Sequence, residues 1–114
     1  MSDPLNVLVI EDSEDDTLLV IRELRRNGFK PLWERIETAQ ELEEMLKNRL
    51  WDIIISDYTL PNFSAPVALE IVKQLCIDTP FIVVAGSIGE QLAVEMMKAG
   101  AHDYVMKDSL ARLP

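Results

Sequence analysis

Short runs of aliphatic and β-branched residues alternate along the chain with stretches whose apolar positions recur every three or four residues. Val7 to Ile10, Ile53 to Ile55 and Phe81 to Val84 are unbroken apolar runs, as expected of strands covered on both faces. Between Ser13 and Asn27, Leu18, Ile21 and Leu24 mark a helix, and Gly28 stands where a helix-closing glycine belongs. "PLWERIE" is a more polar strand, suited to a sheet edge. Thr38 with Glu41 forms a capping-box pair opening a helix with Ala39, Leu42 and Leu46 inward. Ser64 and Pro66 start a third helix facing inward through Ala65, Ala68, Leu69, Val72 and Leu75. Leu92, Ala93, Met96 and Met97 predict the inner stripe of a fourth helix, closed by Gly100, and "AHDYVMK" reads as a last strand. Strand and helix alternate throughout, which implies a parallel sheet with helices on both faces and right-handed crossovers.

The ends of these strands are acidic. Glu11 and Asp12 follow the first strand and Asp57 ends the third, just before the loop marked by Leu60-Pro61-Asn62. In an open α/β sheet, ligands bind beyond the carboxyl ends of the strands. If the first and third strands are neighbours, three carboxylates meet there and repel one another, a cost that a bound cation removes. Oxygen-only ligands with room left for water and phosphate suit Mg²⁺. Lys107 ends the last strand on the same rim. Carboxylate nucleophile, divalent cation and lysine together form machinery for phosphoryl transfer to an aspartate. Each residue also has a plainer role: Asp57 as a turn residue, Glu11 and Asp12 as partners of a helix N-terminus, Lys107 as a solvated cation.

Composition narrows the partners. The chain has 114 residues with 20 acidic and 11 basic side chains, a formal net charge of -9. That balance argues against direct binding to nucleic acid, which needs clustered Lys and Arg. One domain spanning 1–114 is expected. The one cysteine, Cys76, cannot form an internal disulfide, and no apolar run approaches a membrane span, so a soluble, cytoplasmic protein is expected. His102, the one histidine, has no second histidine or cysteine nearby and is not expected to bind metal. Trp33 and Trp51 are expected to cover the two ends of the sheet.

"VLVIEDSEDD", "DIIISDYTLPNFSAPVALEIVK", "PFIVVAGSIGE" and "AVEMMKAGAHDYVMKDSL" resemble, in order and spacing, the motifs of response-regulator receiver domains of two-component signalling. The likeness covers essentially the whole chain and is greatest to receivers accompanying sensor histidine kinases. It implies a doubly wound α/β fold with a five-stranded parallel sheet in the flavodoxin-like order 2-1-3-4-5. It also implies that Asp57 is the phosphorylation site and that Glu11, Asp12, Asp57 and the Thr59 backbone carbonyl hold Mg²⁺. Lys107 and the backbone amides of Ala85 and Gly86 would contact the phosphoryl group, and Tyr104 would be the switch aromatic. The donor would be a histidine kinase or histidine phosphotransfer protein, with output through the fourth helix and fifth strand to a fused or separate partner. Such a domain is a phosphoacceptor with self-catalysed phosphorylation and dephosphorylation, not an enzyme in the ordinary sense.

Three positions depart from the pattern. Ala85 stands where receivers usually carry Thr or Ser, so the hydroxyl that couples phosphate to loop movement is missing, and a phosphate-independent interaction domain is the alternative reading. Glu11 replaces the more usual Asp, and Asp108 follows Lys107 where proline is common. Aspartate-nucleophile phosphatases also place a carboxylate at a strand end, but they carry a second aspartate two residues on, where this chain has Thr59. Only seven residues follow Lys107, so a fifth helix would be truncated, and the chain is expected to be either a piece of a larger protein or an unusually short receiver.

Overall fold

The structure, a computed structural model, describes residues 4–48, 50–57, 65–75, 79–85 and 90–106. The elements run β1 (Pro4–Ile10), α1 (Glu14–Arg26), β2 (Lys30–Ile36), α2 (Ala39–Asn48), β3 (Ile53–Asp57), α3 (Ala65–Gln74), β4 (Phe81–Ala85), α4 (Glu90–Ala99) and β5 (Asp103–Met106). β1, β2, β3 and β4 form a parallel sheet in the order β2-β1-β3-β4, and β5 lies beside β4. The polar second strand sits at the sheet edge, as its composition predicts. The expected fifth helix lies outside the described residues.

Successive strand residues face opposite sides, so the unbroken apolar runs feed two cores. Val7, Val9, Ile53, Ile55, Ile82, Val84 and Val105 pack against Val20, Ile21 and Leu24 of α1. Leu8, Ile10, Ile54, Phe81 and Val83 pack against α2, α3 and α4 through Leu42, Leu46, Ala68, Leu69, Val72 and Met96. Each fully buried aliphatic side chain contributes on the order of 1.5–3 kcal/mol relative to leaving it in water.

The helix ends follow from local chemistry. The Ser13 hydroxyl accepts from the Asp16 amide at 3.2 Å, and acids fill the first turn of α1 while Arg25 and Arg26 fill the last. Gly28 adopts φ 93, and the Phe29 amide donates to Leu24 O while the Gly28 amide donates to Arg25 O. Gly100 (φ 117) closes α4 in the same way, with Ala101 donating to Met96 and Gly100 to Met97. Both are Schellman closures, each with an apolar contact behind it. Glu41 donates its amide to the Thr38 hydroxyl at 3.2 Å, and its carboxylate accepts from the Glu37 amide at 3.1 Å, which completes the cap of α2.

Four side chains differ from expectation. Leu18 is 46% exposed, and the inward stripe of α1 is Thr17, Val20, Ile21 and Leu24. Thr17 can occupy the core because its hydroxyl donates to Ser13 O at 2.9 Å, one turn back. Met97 is 41% exposed while Met96 is buried, so Met97 falls outside the inner stripe of α4; the side chains of Leu92 and Ala93 lie outside those described. Trp33 and Trp51 lie on opposite faces of the sheet, not at its two ends, and the Trp51 indole donates to Met45 O at 3.0 Å.

Candidate functional site

Register brings the strand ends level. Ile10 pairs with Ile36 on one side and Ser56 on the other, and Asp57 pairs with Val84. The ladder runs one step past β1, because the Glu11 amide donates to Ile36 O at 3.1 Å. Alternation then sets Glu11 on the face of Val7 and Val9, and Asp57 on the face of Ile53 and Ile55, both above α1.

One carboxylate oxygen from each of Glu11, Asp12 and Asp57 lies within 4.8 Å of the other two. Glu11 and Asp57 are buried, at 5% and 9% exposure, while Asp12 is exposed. Glu11 Oε1 accepts from the Ser13 amide at 3.1 Å, at the positive end of α1. The Ser56 hydroxyl is buried and donates to Asp57 O at 3.0 Å, fixing the backbone where Asp57 leaves the sheet. A set of three converging carboxylates, two of them sheltered from water, repels itself and matches the oxygen ligands of a hard divalent cation. The donor set therefore fits such a cation.

The other expected residues are placed only in part. Ala85 ends β4, one residue beyond the partner of Asp57, and Tyr104 lies in β5. Thr59, Gly86 and Lys107 lie outside the described residues, as does Cys76. His102 serves the sheet, since its Nδ1 accepts from the Phe81 amide at 3.0 Å and its own amide donates to Phe81 O at 2.8 Å.

Arg35 carries no signal in the sequence that would mark it for the site. Its Nη1 donates to Glu11 O at 3.3 Å and to Glu37 Oε1 at 2.9 Å. No local pattern announces this contact, since it depends on the pairing of β1 with β2. Among the described residues, no helix is long and apolar enough to cross a membrane.

The family model of the response regulator receiver domain matches residues 7–113. The chain is 29% identical over 120 aligned positions to methanogenesis regulatory protein FilR1 of Methanothrix harundinacea, covering 96% of this chain and 26% of that protein. It thus spans about a quarter of the length of that relative. It is 25% identical to a chemotaxis protein CheY homolog of Campylobacter jejuni, covering 90% of this chain and 81% of that one. A solved response regulator from Burkholderia pseudomallei, with a phosphorylated aspartic acid, calcium ion and citrate, superposes with a TM-score of 0.73. Identity to it is 26%, and the match covers 94% of this chain and 62% of that one. With the strand order, the acidic rim and the family match over nearly every residue in agreement, the chain belongs to the response regulator receiver domains, the signalling modules of two-component systems.

Proposed function

We propose that this chain is the phosphoaccepting module of a two-component phosphorelay, taking a phosphoryl group on Asp57 from a histidine kinase or histidine phosphotransfer protein. The observation that carries the reading is the convergence of Glu11, Asp12 and Asp57 within 4.8 Å beyond the ends of two adjacent parallel strands. Asp57 is buried and held by a strand, so its carboxylate presents a fixed oxygen to an incoming phosphorus. That oxygen attacks the phosphorus of a phosphohistidine. The P–N bond breaks, and its electron pair returns to the imidazole. Glu11, Asp12, Asp57 and the Thr59 carbonyl would hold Mg²⁺, which neutralises charge on the transferring group when bound. The oxygen-only donor set supports that choice, as does the calcium ion in the Burkholderia regulator's structure. Lys107 and the backbone amides of Ala85 and Gly86 contact the phosphoryl oxygens in this reading, and Tyr104 responds to the loaded state.

The domain spans 1–114 and works in the cytoplasm, passing its state to a fused or separate output partner through α4 and β5 and not to nucleic acid. Intact mass after incubation with acetyl phosphate and Mg²⁺ tests the chemistry. A gain of about 80 Da, one phosphoryl group, that requires Mg²⁺ and vanishes in Asp57→Asn is the expected result. No gain, together with failure to form a beryllofluoride complex, would sink it.

Ala85 favours a second reading, a partner-binding domain that has lost phosphate control, because alanine offers no hydroxyl at the end of β4. In the phosphoacceptor reading, Ala85→Ser enlarges the NMR shift changes that beryllofluoride induces after β4. Equal changes in variant and parent would remove Ala85 from the switching account.

A further inference from the structure

Arg35 lies outside the acidic cluster yet touches the segment that carries it. The β1–β2 register sets Arg35 opposite Val9, and Glu11 follows two residues later on the same face. The guanidinium is carried in this way to the turn after β1, where Nη1 donates to Glu11 O at 3.3 Å. The same nitrogen donates to Glu37 Oε1 at 2.9 Å, an ion pair whose side chains are 29% and 45% exposed.

We propose that Arg35 is a positioning residue for the cation site, gripping the peptide unit between Glu11 and Asp12 so that both carboxylates stay at the spacing that meets Asp57. The inference rests on the reading of Glu11, Asp12 and Asp57 as that site. The carbonyl that Arg35 holds belongs to the peptide joining Glu11 to Asp12. Rotation of that peptide would swing both side chains, and the hydrogen bond opposes it.

Two effects of opposite sign compete here. A bare guanidinium this close repels a divalent cation, whereas an anchored turn presents its ligands already in place. Glu37 decides between them. Its carboxylate at 2.9 Å cancels most of the arginine's charge as felt from the site, and partial exposure lets water and salt screen the remainder. Geometry wins, so removing Arg35 weakens cation binding although it removes a positive charge.

The test titrates Mg²⁺ calorimetrically into the full chain and into Arg35→Gln, Arg35→Lys, Glu37→Gln and Asp12→Asn. The carbonyl ¹³C shift of Glu11 is followed by NMR in the Mg²⁺-free proteins. Arg35→Gln is expected to raise the Mg²⁺ Kd by about three- to tenfold at both low and high salt, and to move the Glu11 carbonyl resonance. Arg35→Lys, which keeps a donor at nearly the reach of the arginine where the shorter glutamine amide falls short, recovers most of both. Glu37→Gln leaves the arginine's charge uncompensated, so it weakens binding at low ionic strength and regains it at high salt. Unchanged or tighter binding by Arg35→Gln overturns the proposal, as does a loss that Arg35→Lys fails to relieve or that leaves the carbonyl resonance unmoved. If Asp12→Asn binds Mg²⁺ as well as the parent, the cation-site reading itself has failed and the role of Arg35 falls with it.

Discussion

The two ends of the sheet handle their polar groups in opposite ways. At the amino end, strand starts present backbone N–H groups, and single side chains accept them. Asp52 Oδ2 takes the Asn6 amide at 2.7 Å while the Asp52 amide donates to Asn6 O at 2.9 Å, and His102 serves Phe81 in the same manner. At the carboxyl end, strand ends present carbonyl oxygens, and Glu11, Asp12 and Asp57 add three carboxylates within 4.8 Å. Donors reach that rim from the start of α1, through the Ser13 amide, and from Arg35. One rim closes upon itself, whereas the other concentrates negative charge that suits a divalent cation. An acid's meaning thus depends on which end of a parallel strand it occupies.

The largest effect expected from this contrast is linkage to divalent cation. With Mg²⁺ at a hundred times its Kd, urea unfolding of the parent should show about 2.7 kcal/mol of added stability. Asp12→Asn and Asp57→Asn should each lose more than half of that gain, while Mg²⁺-free Asp12→Asn unfolds no earlier than the parent because repulsion has been relieved. A gain that persists in both variants would dissolve the difference between the rims.

The helix closures at the amino end should matter to stability alone. Gly28→Ala forces a side chain onto φ 93 and should cost about 1–2 kcal/mol in urea unfolding, with Mg²⁺ affinity unchanged. Smaller still, Asp52→Ala should cost about 0.5–1 kcal/mol, since the hydrogen bond it removes is exposed to water. A change in Mg²⁺ affinity from Asp52→Ala as large as that from Asp12→Asn would mean that the ends are not independent.

Much of the fold is legible because it is written in local terms. Period-2 and period-3.6 patterns, the Ser13 and Thr38 caps and the Gly28 and Gly100 closures each depend on residues a few positions apart. Pattern and structure part where a distant or unusual partner decides. Leu18 has the spacing of a core residue, but Thr17 takes its place because a hydroxyl can satisfy itself on the preceding turn. Met97 has the spacing of a core residue too, yet its neighbour Met96 is buried and it is not. Trp33 and Trp51 do cover the sheet, but which face each covers follows from strand pairing.

The candidate site divides along the same line. By itself, the sequence determined that acids end the first and third strands and that the elements alternate as a parallel sheet requires, since strand propensity and side-chain period are properties of neighbouring residues. Only the tertiary structure decided that β1 and β3 are adjacent and in register, so that Glu11, Asp12 and Asp57 converge. It alone brought Arg35 from the edge strand to the Glu11 carbonyl. Pairing between strands far apart in the chain, such as Val7 with Ile53, is set by burial of both faces and crossover handedness across the whole chain, and no short stretch of residues encodes it.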